Sequence, residues 1–260
     1  MTSVRFKYPP LVEIAFSVEF IAPDFSSVHL GLYWESIRSE FPLQQDSQPI
    51  ILEEYGNSTP PLRRVGFVSN DRSKIIQLQE NLFIFNWRYN PQDETHHFVN
   101  ILTQFIGYWN RFQEWWLNIQ GEPIEIQQYE LTYFNAIDPE NSGWQNAKDH
   151  AKVFNFIETK WSGFLNVPES LDIQINFLLP NDLGTLSVRV DQLSISSDDD
   201  DEQEVTSESQ DVVFFKLVAQ STDTSILITD WFTSAHDYIV KAFLELTKED
   251  IQKLWGRYDY

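Results

Sequence analysis

The sequence predicts an α+β fold in two halves, each a strand meander followed by a long helix, with mainly antiparallel sheets packed by helices. Three observations carry this expectation. Blocks of alternating apolar and polar residues come first, and long segments with apolar residues three and four apart follow them, which differs from the one-by-one alternation of a doubly wound parallel sheet. The chain holds 20 Phe, 10 Tyr and 9 Trp, and burying one such side chain contributes about 1.5–3 kcal/mol. Its 42% of hydrophobic residues separates it from disordered chains in spite of a net charge of −21.

After Pro9-Pro10, the stretch from Leu11 to Phe20 sets Val12, Ile14, Phe16, Val18 and Phe20 on one side and Glu13, Ala15, Ser17 and Glu19 on the other, the pattern of a half-buried strand. Leu30, Trp34, Ile37 and Phe41 then recur at helical spacing, with Ser26 or Ser27 available as N-cap and Pro42 as terminator. A meander is expected from Ile50 to Tyr89, with runs at Ile50 to Leu52, Arg64 to Val68, Lys74 to Gln79 and Leu82 to Tyr89. Phe98, Leu102, Phe105, Trp109, Phe112, Trp116 and Ile119 mark one face of a helix that Gly121 and Pro123 end. Strand character resumes from Ile124 to Asn135, and a change of phase at Gln127-Gln128 predicts a bulge.

The polar, turn-prone stretch from Asp138 to Gly143 divides the chain into residues 1–140 and 141–260. The second half predicts a short helix near Gln145 to Glu158 and a hairpin of strands Leu171 to Leu178 and Leu186 to Leu193. A strand from Val212 to Ala219 follows. The last 30 residues read as helical throughout, with Ala235, Ile239, Phe243 and Leu246 on one face and Thr247 to Asp250 resembling a capping box.

Several function classes lose their usual signals. The absence of Cys removes disulfides, thiolate metal sites and cysteine nucleophiles, and it suits a reducing compartment. Met1 to Pro10 carries charges and two prolines where a secretory leader needs an apolar stretch, and no apolar run reaches the ~18 residues of a membrane span. The expected localisation is therefore cytoplasmic, with no membrane partner. Against 18 basic residues stand 39 acidic ones, which argues against direct nucleic-acid binding, because Lys and Arg supply most of that affinity. No Gly-rich phosphate loop or Gly-flanked serine occurs, and His29, His96, His97, His150 and His236 show no ligand spacing. No catalytic residue, metal site or cofactor is expected.

Two segments stand out as candidate binding sites. Asn86, Trp87 and Arg88 close a strand just before the long helix, and Trp and Arg are enriched in binding hot spots. The competing reading packs Trp87 in the core in phase with Phe83 and Phe85, while Asn86 and Arg88 tie down the strand end. Asp198, Asp199, Asp200, Asp201, Glu202 and Glu204 lie in an acidic loop, residues 197–211, in which the run from Asp198 to Asp211 holds eight acids and no base. That composition predicts a solvated connection between strands and a steering role towards a basic protein surface.

Four segments, Pro9-Pro10-Leu11-Val12-Glu13-Ile14, Ile76 to Gln79 with Phe85-Asn86-Trp87-Arg88, Leu131 to Ile137, and Ala235-His236-Asp237-Tyr238-Ile239, resemble a sporadically distributed family of uncharacterised bacterial and archaeal proteins of similar length. Thr132 stands where that family tends to have Arg. The patchy distribution implies genes of mobile or defence loci, and with it an antitoxin-like, immunity or adaptor role. The expectation is a non-enzymatic protein-binding module whose partner presents a basic surface. The alternatives are an enzyme or small-ligand receptor with a site between the halves, and an acidic mimic of nucleic acid.

Overall fold

A computed structural model of the chain describes residues 4–51, 62–92, 97–157, 164, 166, 168–195 and 210–259. The first run of elements is β1 (Val4–Phe6), β2 (Leu11–Ile21), α1 (Ser27–Ile37), β3 (Leu43–Ser47), β4 (Arg64–Val68), β5 (Lys74–Gln79), β6 (Leu82–Arg88) and α2 (Phe98–Gln120). Next come β7 (Glu125–Ile137), the short α3 (Pro139–Ser142), a 3-10 turn (Ala147–Asp149) leading into α4 (His150–Val153), and β8 (Asp172–Leu179). The chain then forms β9 (Gly184–Ile195), β10 (Gln210–Gln220), α5 (Ile228–Leu246), α6 (Glu249–Leu254) and β11 (Arg257–Asp259).

Nine strands make one antiparallel sheet in the order β3-β4-β5-β6-β2-β7-β10-β9-β8. Without β3 this order is a palindrome: β4, β5, β6 and β2 correspond to β8, β9, β10 and β7. Each unit opens with a strand, makes a helical excursion, returns through a three-stranded meander whose last strand pairs with the first, and ends in a long helix. The two opening strands, β2 and β7, pair at the centre. In this topology β7 opens the second unit, so the repeat turns over near Gly121, before the polar stretch at 138–143.

The α+β class follows from the patterns already noted. Phe16, Val18 and Phe20 of β2 are buried against the helices, and Phe105, Trp109, Phe112 and Trp116 line the inner face of α2. Phe16 lies between the two long helices, 4.9 Å from Phe105 of α2 and 5.3 Å from Phe232 of α5, so the units share one core. The bulge falls where the phase changes, since Glu19 pairs with Gln128 while Phe20 pairs with Ile126, leaving Gln127 unpaired. Gly121 closes α2 in the left-handed region, φ 77°, and gives its N–H to Leu117 O. At the β8–β9 turn a Cβ on Gly184 would lie 1.8 Å from Gln220 O, so only glycine fits there.

Several expectations need correction. The first helix, α1, stops at Ile37, short of Phe41, and Val12 at the start of β2 is 43% exposed. Ile50 and Ile51 are not in a strand, and the strand in that region is the polar β3, which β4 holds by pairing rather than by an apolar face. The helix expected near Gln145 reduces to a 3-10 turn and one turn of α4, because the side chain of Asn146 caps Lys148 N and Phe154 leaves the helix in extended conformation. Ile119 is 42% exposed, as the last turn of α2 runs past the core. The chain ends in β11, which pairs antiparallel with β1, and Thr247 bonds back to Phe243 O instead of starting a capping box.

Candidate functional site

The sequence motifs gather at one end of the central strands, where β2 begins and β6 and β7 end. Ile14 pairs with Trp87 on one side and with Tyr133 on the other. On the sheet face away from the long helices, Gln77 Nε2 donates to Asn86 Oδ1 at 2.7 Å, and Asn86 Nδ2 donates to Glu13 Oε1 at 2.6 Å. Arg88 Nε donates to Glu13 Oε2 at 3.2 Å. Both ends of the Asn86 amide are thus engaged, as a residue only 4% exposed requires. Trp87 belongs to the helix-side core, and of the three residues Arg88 has the exposed side chain. Nearby, the Gln79 side chain accepts from Ile50 N and donates to Ile50 O, holding Ile50 against Ala15, Leu82 and Ile84. Sequence reasoning did not single out Gln79 or Glu13 as site residues, because both fit the polar-apolar alternation of β5 and β2.

On the helix side the motifs meet in a second group. The ring of His236 is stacked on Phe98 at 3.9 Å and 5°, and its Nδ1 lies 2.6 Å from the Tyr133 hydroxyl. Burial pushes the His236 imidazole down to about 4 and raises the Tyr133 phenol well above its usual value. The neutral imidazole and the phenol share one buried hydrogen bond, which ties α5 to β7. Tyr133 also borders a cavity of about 100 Å³ together with Pro9, Pro10, Asn135, Ile239 and Phe243. Asn135 donates to Phe215 O at 3.0 Å, so the walls offer mainly apolar surface. The remaining described histidines serve local structure: His29 Nδ1 accepts from Ser26 N at the start of α1, His97 precedes α2 with its Nδ1 2.9 Å from the Arg5 guanidinium, and His150 packs on Trp144, where burial lowers its pKa. Among the described residues no three His, Asp or Glu side chains group as metal ligands would.

The third feature is the outer end of the second unit. In β8, Phe177 is 42% and Leu178 86% exposed, and Leu193 of β9 is 53% exposed. Gln192 N donates to Leu171 O, and Asp172 pairs with Asp191. This register turns the backbone groups of Ile173, Ile175 and Phe177 towards β9 and those of Asp172, Gln174, Asn176 and Leu178 outward. Among the described residues no strand pairs with that outward side. Arg189 bridges Asp172 and Asp191 on the face away from the helices, at 3.1 and 2.8 Å.

Asp198, Asp199, Asp200, Asp201, Glu202 and Glu204 lie outside the described residues. Among the described residues no helix is long and apolar enough to cross a membrane. Comparison with family models, with curated proteins and with solved structures finds no match.

Proposed function

We propose that this chain is a non-enzymatic protein-binding module of adaptor, immunity or antitoxin type, and that it docks its partner at the β8–β9 end of the sheet. The observation that carries the proposal is the outward edge of β8, unpaired among the described residues, with Phe177 exposed on its helix-side face and Leu178 on the opposite face. An unpaired strand edge carrying exposed apolar side chains favours pairing with another chain. The chain's charge of −21 favours a basic partner, with rim charges setting the on-rate and the β8 edge holding the complex.

The test begins with affinity isolation from the native host and identification of what co-purifies. Association with the isolated partner should then slow as salt rises, and a Phe177→Glu/Leu178→Glu double variant should lose the complex. Equal association of wild type and double variant would contradict the proposed surface.

A second reading, a receptor for a small apolar ligand, draws on the cavity beside Tyr133 and Asn135. A saturable thermal shift with small aromatic compounds, abolished by Ile239→Trp, would favour it.

A further inference from the structure

We infer that the partner is held by strand addition: an extended segment of a basic protein pairs antiparallel with the outward edge of β8, in the place that β3 occupies beside β4 in the first unit. This rests on the protein-binding reading above and specifies its mode.

The palindromic strand order makes β8 the counterpart of β4. The chain supplies β4 with a neighbour of its own, β3, whose five residues from Leu43 to Ser47 pair antiparallel with Val68 to Arg64. Among the described residues β8 has no such neighbour. Four residues, Asp172, Gln174, Asn176 and Leu178, present N–H and C=O groups outward, enough to pair with a segment about as long as β3.

Side chains fix the character of that segment. Partner positions opposite Ile173, Ile175 and Phe177 are the non-hydrogen-bonded pairs of the new ladder, where side chains approach most closely. Ile173 and Ile175 are half-buried and Phe177 is exposed, so these positions suit apolar residues. The position opposite Asp172, whose side chain is 64% exposed, suits Lys or Arg. A second copy of this chain fits less well, because two bodies of charge −21 repel one another. Nothing in β8 blocks addition, since it contains no Pro and no Lys, and its pairing with β9 shows no bulge.

A proline at an outward position removes a donor that β9 does not use, so it blocks addition while leaving the sheet intact. The probe is a fluorescent seven-residue peptide alternating valine and threonine between terminal lysines, titrated into the full chain and followed by anisotropy and residue-resolved amide exchange. Saturable binding is expected, with slowed exchange at Gln174, Asn176 and Leu178. Asn176→Pro should weaken binding about tenfold or more, the equivalent of one lost hydrogen bond. Gln174→Pro replaces it should Asn176→Pro fail to fold. No binding, binding unchanged in the proline variant, or protection of β8 by concentration-dependent self-association would overturn strand addition. If the natural partner is lost with Phe177→Glu/Leu178→Glu but retained with Asn176→Pro, strand addition fails while the protein-binding reading stands.

Discussion

The two outer strands of the sheet treat a free edge in opposite ways. Apart from Leu43, 39% exposed at its start, β3 presents Gln44, Gln45 and Asp46 to solvent, with Arg63 near Asp46 at 3.5 Å, and so ends the first unit mainly in polar groups. β8 ends the second unit with Phe177 and Leu178 exposed and with half-buried Ile173 and Ile175. The units share a topology and a core, yet one edge is polar and the other, among the described residues, is apolar and unpaired. Natural sheets protect their edges against unwanted pairing, so an open apolar edge is where pairing with a partner is expected.

The largest effect should come from the shared core. Phe16→Ala removes a fully buried ring that touches both long helices, and a loss of about 3–5 kcal/mol is expected, with one transition in chemical denaturation. Two separated transitions would break the comparison by showing that the units fold independently.

Next comes the pH dependence of the His236–Tyr133 pair, which joins α5 to β7 in the second unit. His236 is pushed from 6.5 down to about 4 by burial, so the unfolded chain takes up its proton first as pH falls. Its share of stability is complete above pH 6.5, is lost between 6.5 and about 4, and is level below that. The loss amounts to roughly 3 kcal/mol. Denaturation midpoints of wild type and His236→Gln across this range should converge on acidification; parallel profiles would show that His236 is not held neutral.

Within β8, proline separates the inward from the outward positions. Ile175→Pro takes a donor from the ladder with β9 and should destabilise by about 1–3 kcal/mol, whereas Asn176→Pro should stay within about 0.5 kcal/mol of wild type. Equal losses would place Asn176 in a pairing of its own. The smallest effect is expected at Arg88, whose exposed bridge to Glu13 is worth under about 1 kcal/mol. Arg88→Ala should leave both the denaturation midpoint and partner capture unchanged; loss of the partner would move the binding surface to the first unit.

Much of this arrangement was legible in the sequence because burial imposes a period. Phe16, Val18 and Phe20, or Trp109, Phe112 and Trp116, announce which face meets the core, and even the displaced Gln127 shows as a break in phase. β3, β1 and β11 were not legible, because short edge strands are fixed by their partners' hydrogen bonds and carry no pattern of their own. For the site, Trp87 drew notice by its type, but pairing with Ile14 and Lys74 fixes it in the middle of the sheet. The open edge of β8 escaped notice because an unpaired edge is a property of strand order. Sequence revealed the β8–β9 hairpin; only the sheet shows that nothing described lies beyond it.

Amide hydrogen exchange of the free protein, resolved by residue, tests the unequal edges most directly. Gln174, Asn176 and Leu178 should exchange nearly as fast as an unstructured chain, while Ile173, Ile175 and Phe177 and the amides of β4 that face β3 should be strongly protected. Protection of all six β8 amides to the same degree would mean that this edge is already paired, and would contradict the account.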